Sequence, residues 1–167
     1  DFNRIFSTRN MPDWQEAPAP AGKAFQDFKF HFILDIANKE NLAVQIHTGI
    51  QEGSGNILSN SNPELLSNLF LQYPDVIFDI FHIGYPYQAE LTVLAKNFPN
   101  VFIDMCWAHI VSPNASVNAL LEWFDTVPIN KISAFGGDYL FVDGVYGHLV
   151  LARQDVARAL AIKVEDG

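Results

Sequence analysis

The sequence predicts an α/β protein built from parallel strand–helix repeats. Two observations carry this. Short β-branched and aromatic runs alternate with helical periodicities. The strand ends fall at 47, 82, about 107 and 138, roughly 25 to 35 residues apart, a spacing that suits right-handed crossovers between parallel strands. A third observation is length: 167 residues fit one domain, 1–167, large enough to bury a core. Both an open doubly wound sheet and part of a (β/α)8 barrel fit this order. A whole barrel takes about 250 residues, so this length holds about half of one.

Residues 1–22, with Pro12, Pro18, Pro20 and Gly22, read as an irregular opening segment, and 23–167 as a helix followed by four strand–helix units. Phe25, Phe28, Phe32, Ile33 and Ile36 fall at helical spacing and predict an amphipathic helix over 24–39. "LAVQIH" (42–47) is the first strand. "SNPELLSNLFLQY" is a helix, its proline and glutamate suited to a first turn. "VIFDIFH" (76–82) and "VFIDMCW" (101–107) are strands, separated by the helix "YQAELTVLAKNF" (87–98). "NASVNALLEWFDTV" is a helix, "KISAFGGD" (131–138) the last strand, and "HLVLARQDVARALAIKV" the closing helix.

Composition narrows the partners. Hydrophobic content of 49% with 17% charged residues marks a globular chain. A net charge of −9 excludes non-specific binding to nucleic acid or to an anionic membrane and favours cations, metal ions included. No apolar run reaches membrane-spanning length. The single cysteine, Cys106, allows no internal disulfide and suits a reducing, cytoplasmic setting. Asp1 stands where a methionine would start a chain, as expected of a processed protein or part of a longer polypeptide. "GSGN" (53–56) matches neither a phosphate loop nor a dinucleotide fingerprint, and no GxSxG elbow occurs. Nucleotide-binding and serine-hydrolase readings are thereby removed.

In parallel α/β folds, sites form where strands give way to the following loops. His47, His82, Trp107 with His109, and Asp138 fall at those four positions. Counting by twos puts Asp138 on a face with Gly136 and Ala134, His47 with Gln45, and His82 with Ile80 and Phe78. The same parity turns Asp79 toward the helix layer, a structural position, and lets Asp104 enter the interior with Cys106. Taken singly, each histidine reads as a hydrogen-bonded structural residue and Asp138 as a turn residue. Three of them at equivalent strand ends instead point to one site. Nitrogen and oxygen donors of this kind suit zinc, manganese or iron. Trp107, His109, Tyr139 and His148 are the candidate substrate contacts; packing is the competing reading of Trp107 and Tyr139, and a helix-start role that of His148. Cys106 is not expected to act as a nucleophile, because buried cysteines are inert.

"VQIHTG", "FHIGYPY", "NVFIDMCW" and "FGGDYLF", in this order across about residues 24–165, resemble the amidohydrolase superfamily, specifically its "amidohydrolase 2" branch of TIM-barrel metal-dependent hydrolases. The resemblance implies that the four strands are the fifth to eighth of a (β/α)8 TIM barrel. It makes His47 the metal-binding histidine of the fifth strand and His82 that of the sixth, a metal ligand or catalytic group in different members. Asp138 becomes the eighth-strand aspartate, which binds metal and handles the proton of the attacking water. The resemblance also implies a divalent metal, with zinc expected first, and a small-molecule substrate cleaved at a C–N or C–O bond. Non-oxidative decarboxylation of the aminocarboxymuconate semialdehyde decarboxylase type and uronate isomerisation are the alternatives on the same scaffold. A non-catalytic half-barrel serving assembly is the alternative of another class. The family's first-strand His-x-His pair is absent from this chain, as is any fourth-strand bridging residue. The chain therefore reads as the C-terminal half of such an enzyme, completed by a missing N-terminal half or by a homo-oligomer.

Overall fold

A computed structural model describes residues 19–51 and 57–166. Residues 1–18 of the expected irregular segment and the "GSGN" stretch lie outside the described residues. The chain divides into two compact units, 1–42 and 43–167.

In the first unit, helix α1 runs Ala19–Glu40, longer than the periodicity predicts, and carries a Lys23–Asp27 ion pair at 2.9 Å. The apolar set expected to face a core is exposed at Phe28, Phe32, Ile33 and Ile36.

The second unit is a four-stranded parallel sheet in the order β1-β2-β3-β4. The strands are β1 (Val44–His47), β2 (Phe78–Phe81), β3 (Val101–Asp104) and β4 (Ile132–Ser133). The connections carry α2 (Ser67–Gln72), α3 (Gln88–Asn97), and α4 (Ala108–Val111) with α5 (Pro113–Thr126). Helix α6 (Val142–Asp166) closes the chain. This is the α/β strand–helix repeat that the sequence predicts.

Alternation sorts the two sheet faces. Phe78, Ile80, Val101 and Ile103 are fully buried, as are Leu91 and Ala95 of α3 and Leu120 and Trp123 of α5. Burying each of the Val, Ile, Leu and Phe side chains among them is worth about 1.5–3 kcal/mol, so this layer is the core. Polar groups that enter it find partners. Trp123 Nε1 donates to Thr92 Oγ1 at 3.1 Å. Asn100 donates to the carbonyls of Phe70 and Tyr73, and Lys131 to that of Phe98, all near helix ends where carbonyls lack intrahelical partners.

Some boundaries differ from the sequence expectation, each for a local reason. Ahead of α2 the chain makes two 3₁₀ turns, Leu58–Ser61 and Pro63–Leu66, the second set by the Asn62 side chain accepting from Glu64 N at 2.9 Å and by Pro63 at its first position. Strand β4 keeps two residues of the eight expected; after Ser133 the Ala134 carbonyl accepts from the His109 ring instead of a strand. Helix α6 starts six residues early. It includes Gly144, where a Cβ would sit 2.6 Å from the Phe141 ring.

Candidate metal centre

Two loops carry the histidines. Past β1, Thr48 Oγ1 donates to the Phe81 carbonyl at 3.0 Å, Gly49 N to Ser61 O at 2.7 Å, and Ile50 N to Tyr85 O at 2.7 Å. The first and last of these bonds fasten the β1 exit to the β2 exit, and the Gly49 bond ties it to the connection before α2. Gly49 makes the approach possible: its φ is +68°, and a Cβ there would lie 2.2 Å from Tyr85 O. Past β2, His82, Ile83 and Gly84 form a 3₁₀ turn with φ of 66°, 50° and 62°. A β-branched residue in this region is strained, by roughly 1–3 kcal/mol. The turn aims His82 back toward His47.

His82 Nε2 lies 2.8 Å from His47 Nδ1, and His82 Nδ1 donates to the Cys106 carbonyl at 2.9 Å. A carbonyl only accepts, so Nδ1 carries the proton and the neutral ring presents its lone pair at Nε2. Burial first, and then His47, hold His82 below the usual histidine range, against the pull of the Cys106 carbonyl and Asp138. The neutral ligand form is thereby favoured, with the backbone carbonyl fixing the ring as ligand-orienting groups do.

Asp138 arrives from the β4 exit at φ 46°, its carbonyl accepting from Trp107 Nε1 at 2.8 Å. His47, His82 and Asp138 each offer a donor atom, and these atoms all lie within 4.8 Å of one another. Two imidazole nitrogens and a carboxylate oxygen fit a divalent ion of the zinc, manganese or iron type. Gly136 permits this arrival, since a Cβ there would meet an Asp104 carboxylate oxygen at 2.7 Å and Cys106 Cβ at 2.8 Å.

The three donors border a cleft of about 530 Å³. Trp107 and Tyr139, with rings 5.4 Å apart, line it as well. Ile50, Val111, Leu140 and Val145 supply an apolar wall, and Gln51 a further polar group. His109 and His148, expected on the substrate, stand elsewhere. Both are buried, at 0% and 2% exposure, and neither borders the cleft. His109 spends its ring nitrogens on Asp155 and the Ala134 carbonyl, while His148 is wedged against Phe135 and Tyr139. Cys106 is buried, and burial pushes its thiol up to about 12, so it is no nucleophile.

Parity misleads at β2. Gln45 Nε2 donates to Asp79 Oδ2 at 3.1 Å, so Asp79 shares the His47 face and not the helix layer. Phe78 and Ile80 face the helices, and His82 reaches the site because its turn lies beyond the strand. Asp155 and Gly49 escape the sequence reading. Asp155 looks like any helix-surface acid in "RQDVAR", whereas the glycine two residues after His47 in "HTG" was a usable signal.

The sequence matches the amidohydrolase family over residues 8–163, and the chain belongs to that family. It is 38% identical over 93 residues to Protein fluG of Emericella nidulans, a stretch covering 55% of this chain and 11% of that protein. A solved structure described as a metal-dependent hydrolase from Lactobacillus casei superposes with a TM-score of 0.65 at 20% identity, over 80% of this chain and 35% of that one. A uronate isomerase from Bacillus halodurans gives 0.64 at 19%, over 80% and 33%. The fold is that of a partial TIM barrel, and the chain spans about a tenth of the curated relative and about a third of each solved one.

Proposed function

We propose that this chain contributes three ligands to the divalent-metal centre of a hydrolase that cleaves a C–N or C–O bond of a small molecule. The observation behind this reading is the convergence of His47, His82 and Asp138 at the exits of β1, β2 and β4. A bound divalent ion, zinc first, would supply Lewis acidity, lowering the pKa of water toward about 7 and polarising the scissile group.

The chain's own residues do the rest. The Asp138 carboxylate takes a proton from the attacking water and passes it to the leaving group. His82 is held neutral with its Nδ1 proton on the Cys106 carbonyl, so Nε2 faces the reaction space. Trp107 and Tyr139 form the wall on which an apolar part of the substrate rests, and they keep water from that side. Hydrolysis is preferred to decarboxylation or uronate isomerisation for a chemical reason. Those reactions act on a carboxylate, and among the described residues bordering the cleft none is Lys or Arg.

Zinc titration against a competing chelator tests the reading. The purified chain is expected to bind one zinc ion, with His47→Ala, His82→Ala and Asp138→Asn each weakening it at least about tenfold. Unchanged affinity in all three variants overturns the metal centre. In the assembled enzyme, Asp138→Asn is expected to abolish hydrolysis with circular dichroism unchanged; retained turnover removes its proton-handling role.

A further inference from the structure

Asp138 sits five residues beyond the last residue of β4. The ladder ends with Met105 N donating to Ser133 O, and among the described residues no backbone–backbone hydrogen bond ties 134–138 to the sheet. The segment reads Ala-Phe-Gly-Gly-Asp, and its two glycines add conformational freedom. Something other than the sheet must hold a carboxylate there.

Two side chains from one short stretch do so. Trp107 Nε1 donates to the Asp138 carbonyl at 2.8 Å, and His109 Nε2 donates to the Ala134 carbonyl at 3.1 Å. The segment is gripped at both ends. His109 is in turn tied to α6, its Nδ1 lying 2.9 Å from Asp155 Oδ2. Both ring nitrogens are thus engaged by oxygen atoms, one on α6 and one on the β4 exit segment, so the ring bridges the two. His109 is completely buried and Asp155 is 9% exposed, so water does not compete for this pair. His148, two turns before Asp155 on the same helix, presses its ring on Phe135, Tyr139 and His109 at 5.0, 5.8 and 5.8 Å. Burial first, and His109 next, hold His148 below the usual histidine range.

We propose that His109, locked by Asp155, is a positioning residue that fixes the β4 exit segment and with it the Asp138 carboxylate. It touches neither the cleft nor the metal donors. Its effect on metal binding rests on the metal-centre reading of Asp138; its effect on the segment does not.

Hydrogen–deuterium exchange and zinc affinity, measured on the same variants, separate these. His109→Gln and Asp155→Ala cut the clamp from its two sides. Each is expected to speed exchange in peptides covering 134–138 while peptides from β1 and β2 keep wild-type rates. Each is also expected to weaken zinc about tenfold, with no further loss in the Asp138→Asn background, the signature of two residues acting through one group. Asp155→Asn can donate its amide N–H to a neutral His109 Nδ1, leaving Nε2–H for the Ala134 carbonyl, and is expected to restore most of both effects. If His109→Gln fails to fold, Asp155→Ala carries the test. Unchanged exchange over 134–138 overturns the proposal, and so does a uniform rise across all strands, which is the outcome of a merely structural role. A selective change over 134–138 in a chain that binds no zinc keeps the positioning role and removes the metal-centre reading.

Discussion

Asp104 ends β3 with 5% exposure, its carboxylate accepting from the Cys106 backbone amide. Burial first, and then Asp79, raise it to about 7; burial also raises Asp79, whose Oδ1 is buried without a partner. The two carboxylates flank the interior sheet face and disfavour each other's ionisation. A folded pKa raised above the unfolded 3.8 means that the folded state binds more protons between those values. Stability contributed by protonated Asp104 is therefore present at low pH and lost as pH rises toward 7. Asn at this position keeps an oxygen for the Cys106 amide and cannot ionise. Asp104→Asn is expected to stabilise the protein more at pH 8 than at pH 5, by about 2–3 kcal/mol for the two pH units between 5 and 7. Urea unfolding at both pH values measures this. An equal effect at the two pH values means that Asp104 does not titrate in that window.

The exits of β1 and β2 form one mechanical element, because each is bonded to the other and not only to its own strand. Gly49 is its tightest point. Gly49→Ala places a methyl carbon 2.2 Å from Tyr85 O and strains a φ of +68°, so a loss on the order of 2 kcal/mol is expected, together with weaker zinc binding. Gly147 of α6 is the control: a Cβ there meets nothing within 4 Å. Gly147→Ala is expected to stabilise by about 0.5–1 kcal/mol, as alanine does inside a helix. Equal effects of the two substitutions in urea titrations contradict this account of Gly49. The same element shows what was legible in the sequence. The strand–helix repeat was readable because β-branched runs and helical periods alternate cleanly, and the polar residues past each strand marked where to look. The side-chain directions were less readable, since strand parity stops at the strand. His82 lies in a left-handed turn beyond β2, and Asp138 follows a strand of only two residues, so neither direction follows from counting by twos. His109 was invisible as a clamp, because its partners lie 25 and 46 residues away in sequence.

For the molecule as a whole, the sheet itself predicts association. Among the described residues, strands β1 and β4 have ladder partners on one side only, and unpaired strand edges recruit further strands. The face that carries the donors is polar and open, with Gln45, His47 and Ser133 exposed. In the solved relatives the region matched here is about a third of a longer chain. Further barrel strands, whether from the same polypeptide, a second copy or a separate half, would satisfy both edges and roof this face. A net charge of −9 per chain opposes a second copy at low ionic strength. Salt screens that repulsion, with a Debye length of about 8 Å at 0.15 M, so self-association is expected to rise with salt. Sedimentation velocity across protein and salt concentrations is expected to show species above the 18.7 kDa monomer. Ser133→Lys on β4 adds a charge pointing to the inner face, and it is expected to weaken them. A monomer at every salt concentration, with Ser133→Lys indistinguishable from wild type, rules out the second copy. Pairing is then to be sought by adding a polypeptide that carries the other barrel strands.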